Sequence, residues 1–443
     1  MISLKLIRLT LAACLPLCVI CTSTVFSHEV PPVREFGETE QHAPTPLPDR
    51  VVLTWSGDPT NSVDVTWRTD LSVEESIVEY AHGSLMKGNL RTGDVEGATA
   101  IDGSRVVFDS DLGEYQLHTA QMEGLSPGSV YAYRVGDGAH WSEWFQFRTA
   151  SEGDEPFTFV YFGDAQNAVR SMWSRVIREA NRQAPKMSFL LHAGDLVNRA
   201  NRDAEWGEWF GAGGWLNGMI PSVATPGNHE YSDGLSRHWR PQFSFPMNGP
   251  SGLEETVYWF DHQGARIISL NSNEMIEEQI PWLESVLKDP TRPKWTICTF
   301  HHPIFSAAKE RDNPQLRKAW RGLIEEYGVD LVLQGHDHAY ARSGLGGPKN
   351  IAEGSAAVSS NTVYVVSVSG PKMYTLQEKW DVKRVASGVQ LFQVIHVSPE
   401  EILYEARLAT GELYDSFRLT KNEQGRSELE ELPTETSEIR EIP

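Results

Sequence analysis

The main strands predicted for the second half of the chain each end in a cluster of polar side chains. The apolar segments FTFVYF, MSFLLHA, WTICTF and VDLVLQ are continuous, which is typical of strands buried on both faces. The clusters that close the strands are Gly163-Asp164-Ala165-Gln166, Gly194-Asp195, Gly227-Asn228-His229-Glu230, His301-His302-Pro303 and Gly335-His336-Asp337-His338. Because the carboxyl ends of strands converge on one edge of an open sheet, the five clusters predict a single site.

The side chains in these clusters indicate a metal site. Carboxylate, imidazole and amide groups together suit Zn, Fe or Mn better than Ca or Mg. A single Gly-Asp pair is typical of an ordinary turn, and a lone histidine is typical of packing. Five such clusters in one chain favour metal binding over a purely structural role, and the glycines in four of them allow a close approach of the backbone.

The residue pattern changes near residue 150 and divides the chain into two domains. Between 48 and 150, short strands such as SVDVTWRT and VYAYRVG are separated by turn residues. Cys298 is the only cysteine after residue 27, so this predicts a β-sandwich without a disulfide, of the fibronectin type III kind. Between 155 and 421, buried strands alternate with helix patterns such as the one over 168–184, which predicts an α/β (α+β) layered domain.

Residues 1–27 have the pattern of a secretory signal peptide. Lys5 and Arg8 precede the apolar run Leu9–Ile20, and Val25-Phe26-Ser27 fits a cleavage site. Cleavage there would leave an exported protein, secreted or periplasmic, with no stable membrane insertion. The alternative is an uncleaved membrane anchor, although the apolar run is short for a transmembrane helix.

Charge and composition narrow the range of partners. The formal net charge of −21 argues against nucleic acid, because binding of the phosphate backbone needs a basic surface. A phosphorylated small molecule remains compatible, since metal ions supply positive charge locally. We expect a linker over 28–47 and a disordered acidic tail over 422–443, which carries seven Glu and two Arg. The oligomeric state is not fixed by the sequence.

The order of the clusters, GD, GD, GNH, H-x-P and GH-x-H, resembles the calcineurin-like metallophosphoesterase superfamily. The sandwich domain ending in WSEWFQFRTA and the segment GHDHAYAR are similar to those of purple acid phosphatases. The resemblance covers about 50–420. It implies a four-layer metallophosphoesterase β-sandwich flanked by helices, preceded by the fibronectin type III-like domain.

The resemblance also implies a binuclear centre of two divalent or trivalent ions, Fe, Mn or Zn. It assigns six side chains to them: Asp164 and His338 to metal 1, Asn228, His301 and His336 to metal 2, and Asp195 to both. The implied reaction is hydrolysis of a phosphate monoester by a hydroxide that bridges the two ions, with Asp195 holding both. His229 matches the family's histidine beside the leaving group, as a general acid or a charge stabiliser.

Two positions depart from the family pattern. The metal-binding tyrosine of purple acid phosphatases is replaced by Asn198, so the protein should not be purple and the resemblance does not extend to a ferric ion at metal 1. Related phosphoesterases have a histidine where this chain has Gln166. We expect Gln166 to ligate metal 1 through its carbonyl oxygen, with a hydrogen bond to a ligand or water as the alternative. Asn198 is expected to ligate metal 1 or to support a ligand.

Contacts to the substrate are expected from five side chains: His229, His302, Lys309, Arg311 and Arg342. The loop FSAAKERDNPQ lacks the substrate histidines of the plant enzymes, so its Lys309 and Arg311 are expected to bind phosphate in their place. An exposed charged loop is the alternative. Two other functions stay open, a phosphodiesterase or nucleotide hydrolase on the same centre and a non-catalytic surface binding module.

Overall fold

The structure of the chain is a computed structural model that describes residues 37–440, apart from 88–90, 92, 349–360 and 435. The predicted signal peptide and the first part of the predicted linker, up to residue 36, lie outside the described residues. The rest of that predicted linker includes a four-residue helix, Glu38–Gln41. In the described part of the chain, no helix is both long and apolar enough to cross a membrane.

The N-terminal domain is a sandwich of two antiparallel sheets. Its strands in the described residues are β1 (Asp49–Thr54), β2 (Val63–Thr69), β3 (Ile77–His82), β4 (Thr99–Asp102), β5 (Ser104–Ser110), β6 (Gly113–Met122), β7 (Val130–Gly136) and β8 (Phe145–Arg148). The sheet orders are β1-β2-β6-β5 and β4-β3-β7-β8. In β8, Phe145 and Phe147 are buried and the residues between and after them are exposed, which is the alternation expected of a half-buried strand. The predicted all-β domain is confirmed.

The second domain is built on two larger mixed sheets. The strands are β9 (Phe157–Phe162), β10 (Phe189–His192), β11 (Ser222–Ala224), β12 (Tyr231–Ser232), β13 (Gly234–Leu235), β14 (Tyr258–His262), β15 (Ala265–Ser269), β16 (Trp295–Thr299), β17 (Leu331–Gln334), β18 (Tyr340–Arg342), β19 (Val363–Val366), β20 (Arg384–Ser387), β21 (Leu391–Val397), β22 (Glu401–Leu408), β23 (Leu413–Lys421), β24 (Ser427–Glu431) and β25 (Ile439–Arg440). One sheet has the order β11-β10-β9-β21-β22-β23-β24, and the other has the order β14-β15-β16-β17-β19-β18-β20-β25.

The described residues contain six α-helices. They are α1 (Glu38–Gln41), α2 (Ser174–Gln183), α3 (Asp203–Gly213), α4 (Trp239–Gln242), α5 (Gln279–Lys288) and α6 (Pro314–Glu326). The apolar face predicted within 168–184 is buried at Val169, Trp173 and Val176, although the first turn of this segment is π-helical. Buried side chains of α5 and α6 share a second core with β15, β16 and β17. The predicted layered arrangement of sheets and helices is confirmed.

The topology brings the polar clusters to one edge. Strands β9, β10 and β11 are parallel neighbours that end at Phe162, His192 and Ala224. Strands β16 and β17 are parallel neighbours in the other sheet and end at Thr299 and Gln334. Each of the five strand ends leads directly into one of the five clusters, so the two sheets contribute to a common site.

The prediction of a disordered tail over 422–443 is wrong for its described residues. Strand β24 pairs antiparallel with β23, and β25 pairs with β20. The acidic composition of this segment was a poor guide to its order, because its glutamates have cationic partners on other strands. Glu430 pairs with Arg418 and Glu431 pairs with Arg342. Leu429 also packs on the main core, so the segment gains both pairing and burial.

A buried carboxylate joins the two domains. Asp203, the first residue of α3, accepts two hydrogen bonds from the Arg50 guanidinium of β1, at 2.7 and 2.8 Å. It also accepts one from the Tyr115 hydroxyl of β6 at 2.7 Å. The Asp203 backbone N–H donates to Asp111, in the turn between β5 and β6, at 2.8 Å. The sandwich domain therefore holds the start of α3 by an ion pair that is almost fully excluded from water.

We expect Arg50→Met to lower the free energy of unfolding by about 3 kcal/mol, because it removes the closer of the two guanidinium groups beside the buried Asp203 carboxylate and leaves only Arg68, at 3.6 Å. Urea denaturation followed by circular dichroism measures the change. Arg202→Met is the matched control, since the ion pairs of Arg202 with Glu38 and Asp111 are partly exposed and should contribute less than about 1 kcal/mol. Equal losses for the two variants would contradict the structural role given to Asp203.

Candidate metal centre

Four side chains at the strand ends depend on an unusual backbone conformation. Asp164, Asp195, His336 and His338 have φ angles of 35°, 52°, 74° and 44°, in the left-handed region that non-glycine residues rarely occupy. Such positions cost of order 1–3 kcal/mol each and concentrate at functional sites. In this conformation the backbone turns sharply at each of the four residues, and their side chains point to the common edge.

Asp195, His301 and His336 form one group of potential ligands, with donor atoms within 4.8 Å of one another. The His301 Nε2 lies 3.2 Å from Asp195 Oδ2 and 3.1 Å from His336 Nδ1. The Asn228 Oδ1 lies 2.8 Å from His336 Nδ1 and 3.1 Å from His301 Nε2. The other nitrogen of His301, Nδ1, donates to the Ala193 carbonyl at 2.8 Å, which leaves Nε2 free for a metal ion.

Asp164, Asp195 and His338 form a second group under the same distance limit. The His338 Nε2 lies 3.6 Å from Asp164 Oδ1, and its Nδ1 donates to the Lys372 carbonyl at 3.0 Å. The Gln166 Nε2 lies 2.8 Å from Asp195 Oδ2 and 3.1 Å from His338 Nε2. The structure thus places Gln166 inside the second group, and Asp195 belongs to both groups.

The residues present fit two metal ions. Asp164 Oδ1 and Gln166 Oε1 are fully buried and have no hydrogen-bond partner in the described part of the chain. Buried polar atoms without a partner are rare, and each calls for a missing partner such as an ion. The Nε2 of Gln166 faces Asp195 and His338, so a half-turn of the amide would present the unpartnered Oε1 to a cation at this group. The donor set of carboxylate, imidazole and amide is the one expected for Mn, Zn or Fe(II).

The pKa values of Asp164, Asp195 and His301 show how these buried groups share protons and charge. For Asp195, burial raises the pKa, but the neighbouring His301 outweighs burial and lowers the pKa overall. For His301, burial lowers the pKa, but Asp195 and Asp164 outweigh burial and raise the pKa to about 9. For Asp164, burial raises the pKa well above its usual range. The site therefore holds protons that bound metal ions would displace.

His229 lies beside the centre with a fixed orientation. Its Nδ1 lies 2.6 Å from the Asn198 carbonyl oxygen, so Nδ1 carries the donated hydrogen and Nε2 is the free nitrogen. The Nε2 is 3.9 Å from Asp195 Oδ2, and 27% of the side chain is exposed. The His229 backbone N–H donates to Asp195 Oδ1 at 2.8 Å. A substrate bound at the centre can therefore reach Nε2.

Asn198 supports His229 through its backbone. Its carbonyl accepts the hydrogen bond from His229, and its N–H donates to Glu205 Oε2 at 2.8 Å. Glu205 also accepts from the Arg199 N–H at 2.8 Å and lies in the first turn of α3. The expectation that Asn198 supports a neighbouring side chain thus has a geometric basis, while ligation by its side chain stays a prediction.

Glu230 is a site residue to which the sequence pattern assigned no role. Its buried carboxylate accepts from the N–H groups of Asp195 and Gly227 at 2.8 Å and from that of Leu196 at 2.9 Å. Burial is the main cause that raises the pKa of Glu230 to about 7, and the negative charge of the nearby Asp195 is the second cause. The carboxylate ties the loop that carries Asp195 to the loop that carries Asn228. Glu230 is the last residue of the Gly-Asn-His-Glu cluster, so its place in that cluster could have indicated a role at the site.

Three of the expected substrate contacts lie near the centre. The Arg311 Nη1 donates to the His336 carbonyl at 3.2 Å, and its guanidinium lies 4.7 Å from the Tyr374 ring. The Tyr374 ring in turn lies 4.7 Å from that of His338. The His302 ring lies 4.1 Å from that of His336, and the third contact is His229. Tyr374 comes from a segment without a motif, so no sequence pattern pointed to it.

Arg342 is not a substrate residue, and that prediction is corrected. Its guanidinium is buried against Asp415 and Glu431, at 2.6 and 2.7 Å, and joins β18 of one sheet to β23 and β24 of the other. Because β18 follows the His338 loop, its proximity in sequence suggested a site role, but its side chain is directed between the sheets. Lys309 is exposed, and its N–H donates to the Thr375 carbonyl at 2.8 Å.

Two families of known proteins match the two domains of this chain. Residues 48–149 match the family described as the N-terminal domain of purple acid phosphatases, and residues 157–340 match the calcineurin-like phosphoesterases. Acid phosphatase type 7 of Homo sapiens is 28% identical over 335 residues, which cover 68% of this chain and 72% of that protein. Probable purple acid phosphatase 20 of Arabidopsis thaliana is 26% identical over 319 residues, covering 69% and 70%.

Solved structures share the fold. A purple acid phosphatase from yellow lupin (Lupinus luteus) seeds superposes with a TM-score of 0.71 at 19% identity, covering 86% of this chain and 75% of that one. PhoD superposes with a TM-score of 0.63 at 14% identity, covering 88% and 93%. The chain is purple acid phosphatase-like, because it combines a purple acid phosphatase N-terminal domain with a calcineurin-like phosphoesterase domain.

We expect Zn²⁺ binding to the metal-free protein near pH 7 to release protons. His301, with a pKa of about 9, is protonated at that pH and must lose its proton from Nε2 to bind a metal ion. The apparent affinity should therefore rise with pH up to about pH 9 and then level. Calorimetric titration in buffers of different ionisation enthalpy counts the released protons. Binding at neutral pH without proton release would contradict the assignment of His301.

We expect Gln166→Leu to weaken metal 1 and to leave metal 2 bound, because the amide lies only in the group that contains Asp164 and His338. Gln166→His is the matched control and should retain both ions, since imidazole is a good ligand for Zn²⁺. Elemental analysis after dialysis measures the number of ions per chain. Two tightly bound ions in Gln166→Leu would show that Gln166 is not a ligand.

Proposed function

We propose that this protein is an exported phosphatase that hydrolyses phosphate monoesters at a binuclear metal centre. The observation that carries the proposal is the pair of ligand groups that share Asp195, with the free nitrogen of His229 beside them. The relatives named as acid phosphatases support the monoester preference. Export is proposed from the pattern of residues 1–27.

The two ions would be held by the five side chains of the two groups, with Asn228 completing the group of His301 and His336 and Gln166 completing the group of Asp164 and His338. When bound, they would supply a water of lowered pKa as the nucleophile and neutralise the phosphoryl oxygens. In its doubly protonated form His229 can donate the proton of Nε2 to the leaving oxygen, while its Nδ1–H stays bonded to the Asn198 carbonyl. Arg311, beside the His336 carbonyl, is placed to bind a phosphoryl oxygen.

The metal ions are proposed to be Mn, Zn or Fe(II). A tyrosinate would favour a ferric ion, but Asn198 stands at that position and contributes its backbone to His229 instead. Gln166 adds a neutral oxygen rather than an anionic one, which lowers the negative charge around metal 1 and suits divalent ions. The protein is accordingly expected to lack a charge-transfer band in the visible range.

We expect Asp195→Asn to lose both ions and nearly all activity, because it removes the one carboxylate shared by the two groups. His229→Gln should keep both ions and lower kcat by about 10²–10⁴, the usual contribution of a general acid. The measurements are metal content and kcat on p-nitrophenyl phosphate.

Retention of both ions by Asp195→Asn would refute the shared ligand, and an unchanged kcat in His229→Gln would refute the role of His229. Comparison with bis(p-nitrophenyl) phosphate tests the monoester preference in the same assay. A faster rate on the diester would favour a phosphodiesterase on the same centre.

A further inference from the structure

A cavity of about 640 Å³ opens beside the metal 2 group. Asn228 and His302 line its inner end, and the first turn of α6 and the loop after β15 form its walls. A smaller cavity of about 290 Å³ contains His229 and shares Asn228, Tyr231 and Ser232 with the larger one. The size of the larger cavity is within the range of small-molecule sites. An alcohol leaving from a phosphate next to His229 would extend into this larger cavity.

The walls of the larger cavity offer hydrogen-bond acceptors that the protein itself does not use. Asn273 donates from Nδ2 to the Pro226 carbonyl at 2.9 Å, which leaves its Oδ1 without a donor in the described protein. Asn313 donates from Nδ2 to the Pro303 carbonyl at 2.8 Å, which likewise leaves its Oδ1 available. These amide oxygens can accept hydrogen bonds from a ligand in the cavity.

Donors lie on the same walls. The Gln315 side chain is exposed and has no hydrogen bond within the described residues. Asn313 makes no side-chain cap on α6, so backbone N–H groups of the first turn also remain available. A hydroxyl group both donates and accepts, and can therefore satisfy both kinds of wall group, whereas a phosphate or carboxylate can satisfy only the donors.

The charged groups around the cavity also favour a ligand without a negative charge. None of the described residues that line it is a lysine or an arginine. Its one carboxylate, Asp312, is neutralised by Arg317 at 2.8 Å and Lys379 at 2.7 Å. In the adjoining cavity, Arg199 is paired with Glu205 at 2.6 Å. A second anionic group on the substrate would therefore find no free cation here.

We propose that this cavity binds the leaving group of the substrate, and that the leaving group is an uncharged, hydroxyl-rich alcohol such as a sugar or another polyol. The inference rests on the proposed function, because it needs a phosphate held at the metal centre. The apolar side chains of Ile276 and Leu316 complete the lining and suit the carbon face of such a molecule.

The test compares kcat/KM on three phosphate esters: glucose 6-phosphate, fructose 1,6-bisphosphate and p-nitrophenyl phosphate. Wild type should favour glucose 6-phosphate over the bisphosphate by at least about tenfold. Gln315→Leu and Asn273→Ala, from opposite walls, should each lower kcat/KM on glucose 6-phosphate by about five- to tenfold, with less than about a twofold change on p-nitrophenyl phosphate. Lys318→Leu, exposed on the same helix but outside the cavity, is the matched control and should change neither.

A preference of wild type for the bisphosphate would overturn the proposal. So would an unchanged rate on glucose 6-phosphate in both variants, or an equal loss on glucose 6-phosphate and p-nitrophenyl phosphate. Gln315→Leu alone decides the matter if Asn273→Ala does not fold, because Gln315 has no structural hydrogen bond to lose. If wild type hydrolyses none of the three esters with metal bound, the proposed function fails instead.

Discussion

The site depends on one buried carboxylate, that of Asp195. It belongs to both ligand groups, it is almost fully buried, and it lies within 3.2 Å of the His301 Nε2. A buried, charged carboxylate is stabilised by cations beside it. The backbone N–H of Asp195 donates to Glu230 Oε2 at 2.8 Å, which fixes the position of Asp195. Asp195 has a left-handed φ of 52°, and its N–H is held by Glu230 in that conformation.

The sandwich domain contributes to the site without lining the two ligand groups. Arg50 and Tyr115 hold Asp203 at the start of α3, and Glu205 in the same turn binds the N–H of Asn198. The Asn198 carbonyl then orients His229. Hydrogen bonds and the first turn of α3 thus connect the N-terminal domain to the histidine beside the metal centre.

Local patterns in the sequence predicted the parts of the structure that local patterns determine. Continuous apolar strands ending in Gly-Asp or Gly-His indicated the fold class and the edge where Asp164 and His336 meet. Long-range pairing was beyond such patterns. The acidic tail found cationic partners on β18 and β23, and the charge of Arg342 is used between two sheets rather than at the site. The contact of Arg311 with Tyr374 likewise joins residues that only the fold brings together.

The role of Asp195 can be tested by a crystal structure of the protein grown with Mn²⁺ or Zn²⁺, with anomalous scattering used to locate the ions. We expect two peaks roughly 3.5–4 Å apart, one on each side of the Asp195 carboxylate. The peak on the Asp164 side should also be in contact with Gln166. A single peak at Asn228, His301 and His336, or no peak, would contradict the claim that Asp195 is shared by two metal ions.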